Sequence, residues 1–176
     1  GAWLATEPGL KGAIYHVVAD AVMTSAFFMI IGCIVYRTGQ TELKKLDGLF
    51  YKMPLTFVAL IITMAALIGV PPTCGFFSKF YLIQGAVQAG TWHFVIALLI
   101  SSLIKAIILF RIIEIGYNKV PNPAKEGNKT ITREEAPLSM LIPTLIVTLS
   151  LILIGLFTDK LVTNFIAKAL PEIPSL

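Results

Sequence analysis

The chain alternates between long apolar runs and short polar connections. Run A extends from Lys11 to Tyr36, run B from Pro54 to Gly69, run C from Thr73 to Gly90, run D from Trp92 to Tyr117 and run E from Ala136 to Phe157. About 20 apolar residues in a helix cover a hydrocarbon core. The pattern therefore predicts an all-α integral membrane protein of about five transmembrane helices, one of them short or discontinuous after Pro71-Pro72. Pro54 suits a helix start. Thr132 followed by Glu135 resembles a capping box that opens run E. Pro143 lies inside run E, where a membrane helix tolerates one proline as a kink. Past Thr158-Asp159, the residues Leu161, Val162, Phe165, Ile166 and Ala169 share a face, which predicts a C-terminal interfacial helix. Residues 37–53 form a surface loop with room for a short interfacial helix. The expected division is 1–117 for a transmembrane segment with a broken helix, 118–136 for a polar linker and 137–176 for the last transmembrane helix and the interfacial helix.

Composition strengthens the membrane reading. The chain is 56% hydrophobic and 14% charged, with a mean hydropathy of +0.83, whereas soluble domains average roughly 25% charged residues. The net charge of +4 is no nucleic-acid signal, because the cations sit in connections between apolar runs, where they orient helices. Cys33 and Cys74 have no metal-like spacing and read as small buried side chains. The chain opens Gly1-Ala2-Trp3-Leu4 with no basic-then-apolar leader, so it is expected to be part of a larger subunit. Orientation depends on run C. The 37–53 loop holds four Lys/Arg, and Arg111 with the 118–136 linker holds five. These loops lie on opposite sides if all five runs span, and on one side if run C is re-entrant.

Candidate chemistry is concentrated between runs B and C, in Gly69-Val70-Pro71-Pro72-Thr73-Cys74-Gly75-Phe76-Phe77-Ser78-Lys79. Two prolines remove two backbone donors and disfavour helix before them. Irregular backbone in a bilayer persists only where protein or a water-filled cavity covers it. A lysine at membrane depth costs roughly 3 kcal/mol on insertion scales. A buried Lys79 beside a break is thus a site candidate. A surface loop with Lys79 snorkelling into headgroups fits the same residues. In run A, His16, Asp20 and Thr24 recur at every fourth position and share a helix face. They read either as an intramembrane relay or as groups near the helix start. Gly32 lies on roughly the same face. Run D carries Lys105 near its middle, with Ser101 and Ser102 one turn earlier, and Arg111 and Glu114 spaced to pair near its end. Run B has no ionisable group and reads as a packing or lipid-facing helix. No haem, iron–sulfur, nucleotide or quinone signature is visible, so no cofactor is expected, and no group is placed for bond chemistry.

Two of these stretches carry a resemblance. One is His16-Val-Val-Ala-Asp20-Ala-Val-Met-Thr24 with the Arg37–Leu49 loop, and the other is Met64 through Lys79-Phe80. Both resemble the C-terminal half of the proton-translocating, antiporter-like membrane subunits of respiratory complex I, Mrp-type sodium/proton antiporters and membrane-bound hydrogenases. The resemblance implies a fold of about fourteen helices with two inverted five-helix repeats, each with a discontinuous helix bearing a functional lysine or glutamate. Runs A to E are then the tenth to fourteenth helices, and Lys79 is the lysine of the second broken helix. It also implies a membrane-embedded subunit that moves protons, with sodium as an optional counter-ion, among other membrane subunits that hold the driving redox or ion gradient. The alternatives are a non-conducting structural subunit and a transporter of another solute. Run A departs from the pattern His-x-x-x-His-x-x-x-Lys common in the family: its three places hold His16, Asp20 and Thr24. Either Asp20 takes the proton role or this half conducts differently, and Lys105 is a candidate to supply the missing cation from run D.

Overall fold

A computed structural model describes residues 6–42, 48–117 and 135–162 of the chain. Its elements are α1 (Glu7–Thr38), α2 (Leu49–Lys52), α3 (Pro54–Ile68), α4 (Cys74–Gln88), α5 (Trp92–Tyr117), α6 (Leu138–Leu156) and α7 (Thr158–Leu161). No strand occurs among the described residues. Helices α1, α5 and α6 are each long and apolar enough to cross a membrane. The linker 118–134 and the chain beyond Val162, which includes most of the expected interfacial helix, lie outside the described residues.

Local sequence sets the helix ends. Thr6 caps α1 by accepting the Gly9 amide at 3.3 Å, and Gly39 ends it at φ 62°. Pro54 occupies the first turn of α3. The 37–53 loop does contain a short helix, α2.

Helices α3 and α4 have 15 residues each, about 22 Å apiece at 1.5 Å per residue, too short to cross a core of roughly 30 Å alone. They lie end to end along α1 instead. Phe57, Leu60 and Met64 of α3 share a core with Ile30, Cys33 and Ile34 in the second half of α1. Ala66 and Cys74 meet Tyr15, Ala19, Met23 and Ala26, nearer its start. Further along α4, a Cβ at Gly12 would come within 2.8 Å of the Leu82 amide nitrogen, and one at Gly85 within 2.5 Å of Gly9 Cα. Helix α5 follows the same line in reverse: Val95 packs with Ala86, and Phe57 fills the space a side chain at Gly116 would need. Runs B and C are therefore one discontinuous span between α1 and α5, broken at residues 69–73, as the double proline implies. The Pro71–Pro72 peptide bond is cis.

Helix α6 closes the bundle. Thr144 lies 3.5 Å from the Cys33 sulfur, and a side chain at Gly155 would collide with the Pro72 carbonyl. The break is thus covered by α6 on one side and α1 on the other. Cys33 and Cys74 are both free and buried.

This arrangement also places the loops. The Gly48 amide bonds the Ile115 carbonyl at 3.4 Å, and Phe50 stacks on Tyr117 at 4.4 Å. The 37–53 loop and the exit of α5 therefore share one end of the bundle. At the other end, the Tyr15 hydroxyl meets Thr158 at 2.7 Å.

Candidate functional site

The site is built from the backbone of the break. Helix α3 ends in a Schellman motif: the Val70 amide bonds the Ala65 carbonyl at 3.0 Å, and the Gly69 amide bonds that of Ala66 at 3.1 Å. Gly69 makes the turn at φ 95°. The last carbonyls of a helix have no partner within it, and here those of Leu67 and Ile68 remain. Lys79, on the second turn of α4, reaches back and donates to both, at 2.9 and 2.7 Å. Its third proton goes to Ser102 Oγ of α5 at 2.8 Å. An ammonium has three donors, so Lys79 is saturated by the first half of the broken helix and by α5. It has no carboxylate partner among the described residues. The negative end of the α3 dipole faces its charge.

Small residues make this approach possible. A Cβ at Gly69 would sit 3.2 Å from Lys79 Cδ. One at Gly75 would run into the Ala66 carbonyl and come within 3.2 Å of the Met23 sulfur. Pro71 and Pro72 form the exposed turn of the break, and Thr73 leads into α4 with its hydroxyl donating to Val70 O at 2.7 Å.

One residue of the run A trio reaches the break. His16 Nδ1 lies 3.0 Å from Ser78 Oγ, and the Ser78 hydroxyl donates to the Gly75 carbonyl at 3.0 Å. A hydroxyl has one proton. With that proton on Gly75, Nδ1–H of His16 is the donor, and Nε2 is left as the acceptor. Asp20 and Thr24 are exposed on the described bundle. The buried face of α1 runs through Tyr15, Ala19, Met23, Ala26 and Ile30. Each member of the trio follows one of these by a single residue, about 100° round the helix, so the trio runs along the edge of the buried face and only His16 meets a neighbour.

Lys105 is half-buried on α5, one turn beyond Ser102. Arg111 and Glu114 pair at 2.9 Å on the exposed end of α5.

Two features escape the sequence pattern. Ser102 is visible in run D only as a polar residue near Lys105, and nothing in its spacing says that it meets Lys79. Glu135 was expected to cap its own helix from within a Thr132–Glu135 box. It caps α3 instead, accepting the Leu55 amide at 2.6 Å and the Thr56 hydroxyl at 2.8 Å. Helix α6 begins only at Leu138, so Glu135 stands ahead of it, beside the open start of α3.

A helix broken beside a half-buried amine, inside an apolar bundle, is a feature of membrane-embedded helical subunits rather than of soluble domains. The family model described as "NADH:quinone oxidoreductase/Mrp antiporter, TM" matches residues 1–105, and the chain belongs to that family of integral membrane proteins. It is 38% identical over 169 residues to NADH-quinone oxidoreductase subunit N of Desulforudis audaxviator, covering 92% of this chain and 34% of that protein. It is 39% identical over 127 residues to the antiporter subunit mnhD2 of Staphylococcus aureus, covering 66% of this chain and 26% of that protein. The chain thus spans about a third or less of these relatives. Among solved structures, a chain of the Mrp complex from Dietzia sp. DQ12-45-1b shares the fold at TM-score 0.77 and 21% identity, over 90% of this chain and 37% of that one. A chain of the archaeal membrane-bound sulfane sulfur reductase matches at TM-score 0.69 and 29% identity, over 85% of this chain and 24% of that one.

Proposed function

We propose that this chain is the broken-helix half of a membrane subunit that moves protons within a multisubunit complex, and that Lys79 is the group that binds and releases them. The observation that carries this is the seat of Lys79: an amine held at a helix break by two carbonyls and a hydroxyl, with no carboxylate partner among the described residues. An ammonium, unlike a guanidinium, can release a proton, and this one is held by neutral acceptors. Buried chains of Lys, His and Asp serve as proton relays in membrane proteins. His16 is hydrogen-bonded to the residue next to Lys79 in sequence, and Lys105 offers a second amine one turn from the shared Ser102. The names of its relatives, an oxidoreductase subunit and an antiporter subunit, support other membrane subunits as partners and a redox reaction or an ion gradient as the energy source.

A second reading has an observation of its own. All three Lys79 donors are satisfied, which also suits a lysine that merely pins the two helix halves together. Proton translocation by the intact complex in sealed vesicles, followed with a pH-sensitive dye, separates the two. Lys79→Ala should assemble and lose translocation. Assembly with translocation at the wild-type rate would leave the structural reading.

A further inference from the structure

We propose that Ser102 is the positioning residue of the Lys79 site, because its hydroxyl is the one of the amine's three partners that can meet both an N–H of the charged form and the lone pair of the neutral form. The proposal rests on Lys79 as a proton carrier and asks what the carrier needs on each side of the transfer. The charged form has three N–H donors, and its three partners are Leu67 O, Ile68 O and Ser102 Oγ at 2.9, 2.7 and 2.8 Å. When the proton leaves, one N–H bond breaks and an O–H bond forms on a water molecule of the path. The neutral amine keeps two N–H donors and gains a lone pair. Carbonyls only accept. Leu67 and Ile68 therefore keep the two remaining N–H groups, and neither can serve the lone pair. A hydroxyl both accepts and donates. Rotation about the Ser102 Cβ–Oγ bond turns its proton onto the nitrogen, and Ser102 retains that proton throughout.

The hydroxyl is free to do this. Serines and threonines in helices commonly donate to a carbonyl of the preceding turn. Ser25, Thr144, Thr148 and Ser150 do so here. Ser102 has Lys79 as its hydrogen-bond partner among the described residues, as an acceptor, so its own proton is uncommitted. Neighbouring Ser101 is exposed, whereas Ser102 is partly buried, facing the break. Helix α5 thus brings one hydroxyl to the one position at the amine that must reverse its hydrogen-bond sense.

The test uses Ser102→Thr and Ser102→Val in the intact complex, with Lys79→Ala beside them in the same vesicle assay. Thr and Val have nearly the same shape, and Thr alone has a hydroxyl. The expected result is near-wild-type translocation with Thr and a loss of about tenfold or more with Val, the scale of one hydrogen bond to a charged group. Ser102→Ala, which removes the hydroxyl without adding bulk, should fall as far as Val and serves if Val impairs assembly. Wild-type rates in an assembled Val or Ala variant, with Lys79→Ala inactive, would overturn the Ser102 proposal alone. Equal losses in assembled Thr and Val variants, with Ala active, would assign the effect to bulk and overturn it too. An active Lys79→Ala would overturn the carrier reading itself.

Discussion

Three small side chains decide where the Lys79 ammonium sits. Gly69 turns the chain at positive φ, Gly75 lets α4 begin against the Ala66 carbonyl, and Ser102 supplies the third acceptor. The Pro-Pro break and the lysine were legible in the sequence, because both break the rules of an apolar run. Ser102 was not, because polar spacing along one helix fixes a face and not the residue it meets across the bundle. The Asp20 face was legible only in part: periodicity aligned it with His16 but could not tell that the buried face of α1 lies one residue away, through Tyr15, Ala19 and Met23. Gly69→Ala tests the residue scale. A side chain at φ 95° costs on the order of 1–3 kcal/mol, and here it also presses on the lysine stem. The variant should unfold at lower temperature in detergent and translocate protons more slowly than wild type. Unchanged stability and rate would mean that the lysine is not held as described.

At the scale of the element, α3 is a helix closed at both ends by charged side chains from elsewhere. Glu135 takes the Leu55 amide at its positive end, and Lys79 takes two carbonyls at its negative end. Both placements match the macrodipole. Run B read as a helix without chemistry, and by side chains it is one. Its contribution is backbone, which hydropathy does not report. Glu135 was misjudged for a related reason: a capping pattern identifies a residue able to cap, and the chain brought it to a different helix. Loss of a cap costs about 0.5–2 kcal/mol. Glu135→Ala should therefore lower the stability of the solubilised subunit by that order, read from its thermal midpoint. Replacement by Gln, which still accepts hydrogen bonds, should recover part of the loss. A Glu135→Ala variant as stable as wild type would contradict the cap.

At the scale of the molecule, the end-to-end seating of α3 and α4 settles which loops share a side. Run lengths and hydropathy left that open, because two short runs can be two spans or one. Packing along the 32-residue α1 makes them one, and the 37–53 loop then shares an end of the bundle with Tyr117 and Glu135, between which the linker runs in sequence. By sequence the loop, the linker and Arg111 hold nine Lys/Arg, whereas Lys11 and Lys160 lie toward the other end. The positive-inside rule places the nine-cation end in the cytoplasm. Single cysteines at Thr41 and Thr91, in a chain whose Cys33 and Cys74 are replaced, should react oppositely with a membrane-impermeant maleimide. In right-side-out vesicles Thr91→Cys should label and Thr41→Cys should not; the reverse pattern would invert the orientation.

The central claim is that Lys79 carries a proton and does not merely tie the broken helix together. Lys79→Arg measures the difference directly. Guanidinium can still donate to the Leu67 and Ile68 carbonyls and to Ser102, but it does not release its proton in proteins. A structural tie should tolerate it. A proton carrier should not: the account predicts a complex that assembles normally and fails to move protons in vesicles. Proton translocation at the wild-type rate by an assembled Lys79→Arg complex would contradict it.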